Sequence, residues 1–141
     1  MFLFHKITPP AVKLLTSFIN CLTALVMAVP LFIYLKPDIR SAVWILIYMF
    51  FIHNTIPLFF KERRDIGMVI MGTYWQKKYS FGQHVVYNIL YTLSFATLFF
   101  YKFFPLDIFL INIFFVQLPC ILLTGATLHG FLSGKMVTIN K

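Results

Sequence analysis

Four carboxylates, Asp38, Glu62, Asp65 and Asp107, and four histidines are the groups with which this chain could do acid–base or metal chemistry. No two of the carboxylates are spaced as a buried acid/base pair. The histidines lie on different segments and have no carboxylate or cysteine partner at zinc spacing. Cys21 and Cys120 each fall inside a long apolar run, where they read as small core residues rather than as disulfide or soft-metal partners. The sequence has no P-loop, no Gly-x-Ser-x-Gly and no dinucleotide fingerprint. The expectation is a non-enzyme with no catalytic residue, no metal and no cofactor.

The elements that would position any such group are hydrophobic. The 141 residues are 60% hydrophobic and 11% charged, with a mean hydropathy of +0.86. A small domain buries only about two-thirds of its chain surface, so this composition belongs in lipid. Residues 12–35, 41–60, 83–104 and 106–129 form four apolar runs, each long enough for a helix to cross a ~30 Å hydrocarbon core. Barrel-type alternation is absent, so the runs must be helices. The reading is an all-α membrane protein, a four-helix transmembrane bundle in a single domain over 1–141 that carries a small loop and hairpin patch on one side. The first run is too long for a cleaved signal peptide. The net charge of +8 flanks the spans, which points to the lipid bilayer as partner and not to nucleic acid.

Polar residues inside the spans are the next signal. Lys13 and Asn20 are two turns apart and share a face, and Asn20 should bond a neighbouring helix through Asn88 or His53. Pro30 and Pro119 should kink their helices, and the short loop at 36–40 makes an antiparallel hairpin of the first two. His53, Asn54 and Thr55 precede Pro57 and suit the repair of a proline break. With Asn88, Thr92, Asn112, Gln117, Thr124 and Thr127 they read as interhelical hydrogen-bonding groups; the other reading is a polar path through His53, Asn54, Asn88 and Gln117. A tight turn is expected at 102–105, and Gly130 and Gly134 should stop the last helix.

Residues 61–84 are the one long polar interval. Ile66, Val69 and Ile70 suit an amphipathic helix over 62–71, its basic side snorkelling among anionic headgroups and its end set by Gly72. Thr73–Trp75 and Tyr79–Phe81 read as a hairpin, with Met136–Ile139 as its third strand and Trp75 in the headgroups. With four spans, nine Lys and Arg lie on the side of both termini and this loop, against three on the other, so both termini should be cytoplasmic.

Three separated stretches resemble the RDD family of small bacterial membrane proteins. KLLTSFIN (13–20) is similar to the family's Arg-x-x-Ala-x-x-x-Asp. DIGMVIMG (65–72) with SFGQHVVYNIL (80–90) is similar to its Thr-x-Gly-Lys-x-x-x-x-Gly and Ser-x-Gly-Gln, and LHGFLSGKMV (128–137) to its closing Leu-His-Asp-x-x-x-Gly-Thr-x-Val. The carried positions are Lys13, Asn20, Gly67, Gly72, Ser80, Gly82, Gln83, His129 and Gly134. The chain departs from the family at Lys13 for Arg, Asn20 for Asp, Gly130 for Asp and Tyr87 for the third helix's Arg. The resemblance implies a multi-pass protein of the bacterial inner membrane. With the motif carboxylates gone and 18 Phe able to supply contact surface, the expected role is an accessory or stabilising subunit of a larger membrane complex. The alternative is a small-solute or ion transporter of RDD type. The partner would accordingly be another membrane protein or a second copy of the chain.

Overall fold

A computed structural model describes residues 6–99 and 111–140. The fold is mostly helical, with one small sheet. After strand β1 (Lys6–Ile7), helix α1 spans Pro10–Leu35 and α2 spans Ile39–Thr55, continued by a 3-10 turn over Ile56–Phe59. Pro10 opens α1 at a position where its missing N–H costs nothing, and α1 runs on through Pro30. Asp38 caps α2 by accepting from the Ser41 N–H at 2.9 Å. Pro10–Leu35 and Ile39–Phe59 are long and apolar enough to cross a membrane.

The polar interval folds as a short helix, α3 (Ile66–Met71), and a strand, β2 (Thr73–Trp75). Asp65 caps α3, and Gly72 ends it at φ +66°, a left-handed conformation that suits glycine. Ser80 and Gln83 form a reciprocal capping box at the start of α4 (Phe81–Ala96), which ends in a 3-10 turn over Thr97–Phe99.

The fourth run is not one helix. A π-helical segment, Asn112–Gln117, leads into α5 (Leu118–Thr124), with Pro119 in its first turn. Gly125, at φ +75°, then ends that helix short of residue 129, and Thr127 caps a new short helix, α6 (Leu128–Leu132). Gly130 therefore lies inside a helix; the left-handed Gly134 and Lys135 follow it. The tail ends in β3 (Thr138–Asn140). The expected tight turn at 102–105, the end of the third run and the start of the fourth lie outside the described residues.

The sheet order is β1-β3-β2, with both pairings antiparallel. The tail strand pairs with Thr73–Trp75 as the sequence suggested, but no hairpin forms, because Tyr79–Phe81 turns into the cap of α4. The third strand comes instead from Lys6–Ile7. The Gln76 N–H donating to Val137 O at 2.9 Å and the Thr8 N–H donating to Thr138 O at 3.0 Å extend the clasp. The segment before α1, the 61–80 loop and the tail thus share one end of the molecule.

Large apolar side chains cover much of the outside, and polar side chains share the interior with apolar ones. Leu14, Phe18, Val26 and Ile33 on α1 and Phe115, Leu122 and Leu123 on the last run face outward. Asn20, His53, Asn54, His84, Asn88, Thr92 and His129 are buried. The apolar core between α1, α2 and α4 is Ala24, Phe50, Tyr91 and Phe95, with Phe50 and Phe95 stacked at 4.1 Å.

Candidate functional site

Asn20 is the hub. Fully buried on α1, its Oδ1 accepts the Gly67 N–H at 2.8 Å, and its Nδ2 donates to Tyr91 Oη at 3.3 Å. The Tyr91 hydroxyl donates in turn to Ser17 Oγ at 2.9 Å. The neighbours expected for Asn20 were Asn88 and His53; the tyrosine one turn beyond Asn88 and a backbone amide of α3 take their place. The first turn of α3 exposes unpaired N–H groups, and two side chains cover them: Asn20 takes that of Gly67, and Asp65 Oδ1 takes that of Met68 at 2.7 Å. Glycine at 67 permits the approach, since a Cβ there would meet Thr16 O and lie 2.9 Å from Asn20 Oδ1.

Asp65 is buried beneath this contact. Burial pushes its carboxyl above the usual range; the Met68 N–H, Asn20, the Arg64 guanidinium and the Gly67 N–H oppose the shift. A cavity of about 40 Å³ lies on one side of it, lined among others by Lys13, Tyr87, His129 and Thr138. A second of about 20 Å³ is lined by Asn54, Arg63, His84 and Asn88. Asp65, Trp75, Tyr87 and Tyr91 line both.

The sheet and tail close the chamber. Lys13 Nζ donates to Thr138 Oγ1 at 3.0 Å, joining the start of α1 to β3. Tyr79 Oη donates to Lys135 O at 3.3 Å and accepts from the Val137 N–H at 2.9 Å. The Met136 N–H donates to Gly130 O at 2.8 Å, and a Cβ at Gly130 would come within 2.8 Å of Met136 O. A Cβ at Gly134 would strike Gln83 Nε2, whereas at Gly82 it would meet nothing. His129 stacks on Tyr91 at 4.9 Å, with the Tyr87 ring edge-on at 4.8 Å.

The arginines do not snorkel. Arg64 Nε donates to Thr73 O at 2.8 Å and Nη2 to Met68 O at 3.3 Å, with its Cζ 3.7 Å from the Tyr74 ring centroid. Arg63 Nη1 donates to Tyr79 O at 3.2 Å. Both pin the loop by donating to its backbone carbonyls. Trp75 likewise leaves the headgroups expected for it: its Nε1 donates to Arg63 O at 2.9 Å, and its ring packs edge-on against Tyr79, His84 and Tyr87. Ile66, Val69 and Ile70 do point outward from α3.

The residues of the polar path are separately engaged. His53 Nε2 lies 2.8 Å from Thr23 Oγ1; because the Thr23 hydroxyl faces the Ile19 and Asn20 carbonyls at 3.0 Å, the imidazole supplies the proton. Asn54 Nδ2 donates to Phe50 O at 2.9 Å, and Asn88 Nδ2 to Thr55 Oγ1 at 2.6 Å. Gln117 Oε1 accepts the Leu128 N–H at 2.9 Å, capping α6 across the break at Gly125, while its Nε2 donates to Asn112 Oδ1 at 3.2 Å. Asn112 Nδ2 reaches Ser94 Oγ at 2.7 Å.

No protein-family model, no curated protein and no solved structure matches the chain.

Of the sequence-selected positions, Lys13, Asn20, Gly67, Gly72, Gln83, His129 and Gly134 fall around the chamber or the clasp that closes it. His53 and Gln117 stand apart. Asp65, Tyr91 and the inward arginines were missed. Asp before Ile-Gly-Met is a legible N-cap signature, but nothing in the spacing signals its burial. Among the described residues no group of three or more His, Cys, Asp and Glu could hold a metal.

Proposed function

We propose that the chain is a non-catalytic, multi-pass membrane protein, a four-helix bundle of RDD-like ancestry, that serves as an accessory or stabilising subunit of a larger membrane complex. The observation that carries this reading is the use of the interior. Polar side chains of the bundle bond helix to helix, and the Phe50, Tyr91 and Phe95 cluster fills the space between α1, α2 and α4 beyond the chamber. What remains for interaction is the outward apolar surface, which lipid or a partner helix covers at low cost. The ancestry is supported by the meeting of KLLTSFIN, DIGMVIMG and LHGFLSGKMV around one chamber. Strands β1 and β3 and the 61–80 loop share one end of the molecule, and the positive-inside rule makes that end cytoplasmic, in a bacterial inner membrane.

A second reading, RDD-type transport, draws on the burial of Asp65 beside two cavities. Flux through proteoliposomes of the purified protein separates the two. The subunit reading expects no movement of protons, sodium or potassium above empty vesicles; flux lost on replacing Asp65 by Asn would overturn it.

A further inference from the structure

The cavity of about 20 Å³ between α2, α4 and the loop carries two orphaned acceptors. Among the described residues nothing hydrogen-bonds Asn54 Oδ1 or Asn88 Oδ1, and their residues are only 6% and 3% exposed. Neither amide can turn round. Asn54 Nδ2 faces Phe50 O at 2.9 Å, where an oxygen would be repelled. Asn88 Nδ2 faces Thr55 Oγ1, whose one proton goes to Phe51 O at 2.7 Å, so that position requires a donor. Both carbonyl oxygens are therefore left over on residues that line the cavity, and no donor among the described residues bonds either of them.

A species that satisfies them must present two donors in a space of water size. By the same volume measure one water needs roughly 10–15 Å³ and seeks two to four polar partners. A metal or ammonium ion would meet the cationic Arg63 there, and Asp65, the acidic group on the same lining, is pushed by burial toward its neutral form. We infer that this cavity is a binding site for one long-lived internal water, which donates to Asn54 Oδ1 and Asn88 Oδ1 and so ties α2 to α4 beside Asp65. Its lone pairs are open to the N–H donors of Arg63. This inference is independent of whether the chain acts as a subunit or a transporter.

Asn54→Leu tests it by sign. If water is bound, the leucine removes one of its two acceptors and strands Asn88 Oδ1, and the melting temperature falls by several degrees. If the cavity is dry, leucine removes a buried unmatched carbonyl and fills space, and the melting temperature rises, which overturns the inference. A variant that does not fold leaves the decision to the wild type in micelles. There, water-selective NMR should show cross-relaxation from a long-lived water to the Asn88 side-chain amide protons; its absence overturns the site. Melting in sodium, potassium or ammonium chloride should equal that in choline chloride at the same ionic strength. A rise specific to one cation would put an ion in place of the water and equally refute it.

Discussion

Replacing Gly67 by Ala probes the contact on which the chamber rests. In an exposed helix this change is worth about 1 kcal/mol of added stability. Here the new methyl meets Thr16 O and lies 2.9 Å from both Asn20 Oδ1 and Thr16 Cγ2, so α3 must lift from α1. The 2.8 Å bond from the Gly67 N–H to Asn20 Oδ1 then opens, and a fully buried acceptor loses its donor, a cost of about 1–3 kcal/mol. Overpacking adds about 1–3 kcal/mol where neighbours cannot yield, and Thr16 O is backbone. The two costs overlap, and after the helix-propensity gain the net loss should be about 2–3 kcal/mol. Gly82 is the control: a Cβ there meets nothing, so Gly82→Ala should gain up to about 1 kcal/mol. Reversible unfolding in mixed micelles, followed by tryptophan fluorescence, reads both. The double variant with Asn20→Ala should cost less than the sum, because both substitutions break one bond. A Gly67→Ala protein as stable as the wild type would refute the contact.

Other variants test neighbouring links. The folded pKa of Asp65 lies above its unfolded value, so the native state binds more protons between the two and stability falls as pH rises through that window. Asp65→Asn should flatten this part of the pH–stability curve while keeping the Met68 cap; an unchanged curve contradicts the burial. Asn20→Asp keeps an acceptor for Gly67 but loses the donor to Tyr91 Oη and sets a second carboxylate near Asp65. It should lose on the order of 1 kcal/mol at neutral pH, a deficit that shrinks on acidification in the same unfolding assay. Deleting 136–141 removes the central strand of the sheet. Limited proteolysis should then speed up in the 72–81 loop and also ahead of α1, and unchanged cutting at both would argue against the clasp.

The sequence was legible where one rule acts alone. Apolar length located α1 and α2, and Gly72 marked the end of α3, whose start at Ile66 behind the Asp65 cap falls later than the expected residue 62. The tail strand was readable from its β-prone residues. What the sequence hid depends on tertiary competition. Tyr79–Phe81 has strand composition, but the capping box of Ser80 and Gln83 claims it for α4, and Lys6–Ile7, a charged and an apolar residue with no strand signal of their own, fills the sheet instead. The break at Gly125 was masked by the hydropathy of its flanks. Trp75 and the arginines looked interfacial by type, yet the nearest unpaired carbonyls lay inward. Asn20 was correctly suspected of a buried bond, while its partner on α4 follows from helix rotation, which periodicity does not fix.

The most direct measurement for the subunit reading is gentle detergent extraction of the tagged full-length chain from its native membrane, with quantitation of what accompanies it. The account predicts a stoichiometric complex with a larger membrane protein whose abundance falls when this chain is deleted and recovers when it is restored. Recovery of the chain only as a homo-oligomer, with no membrane protein changing in abundance on its deletion, would contradict it.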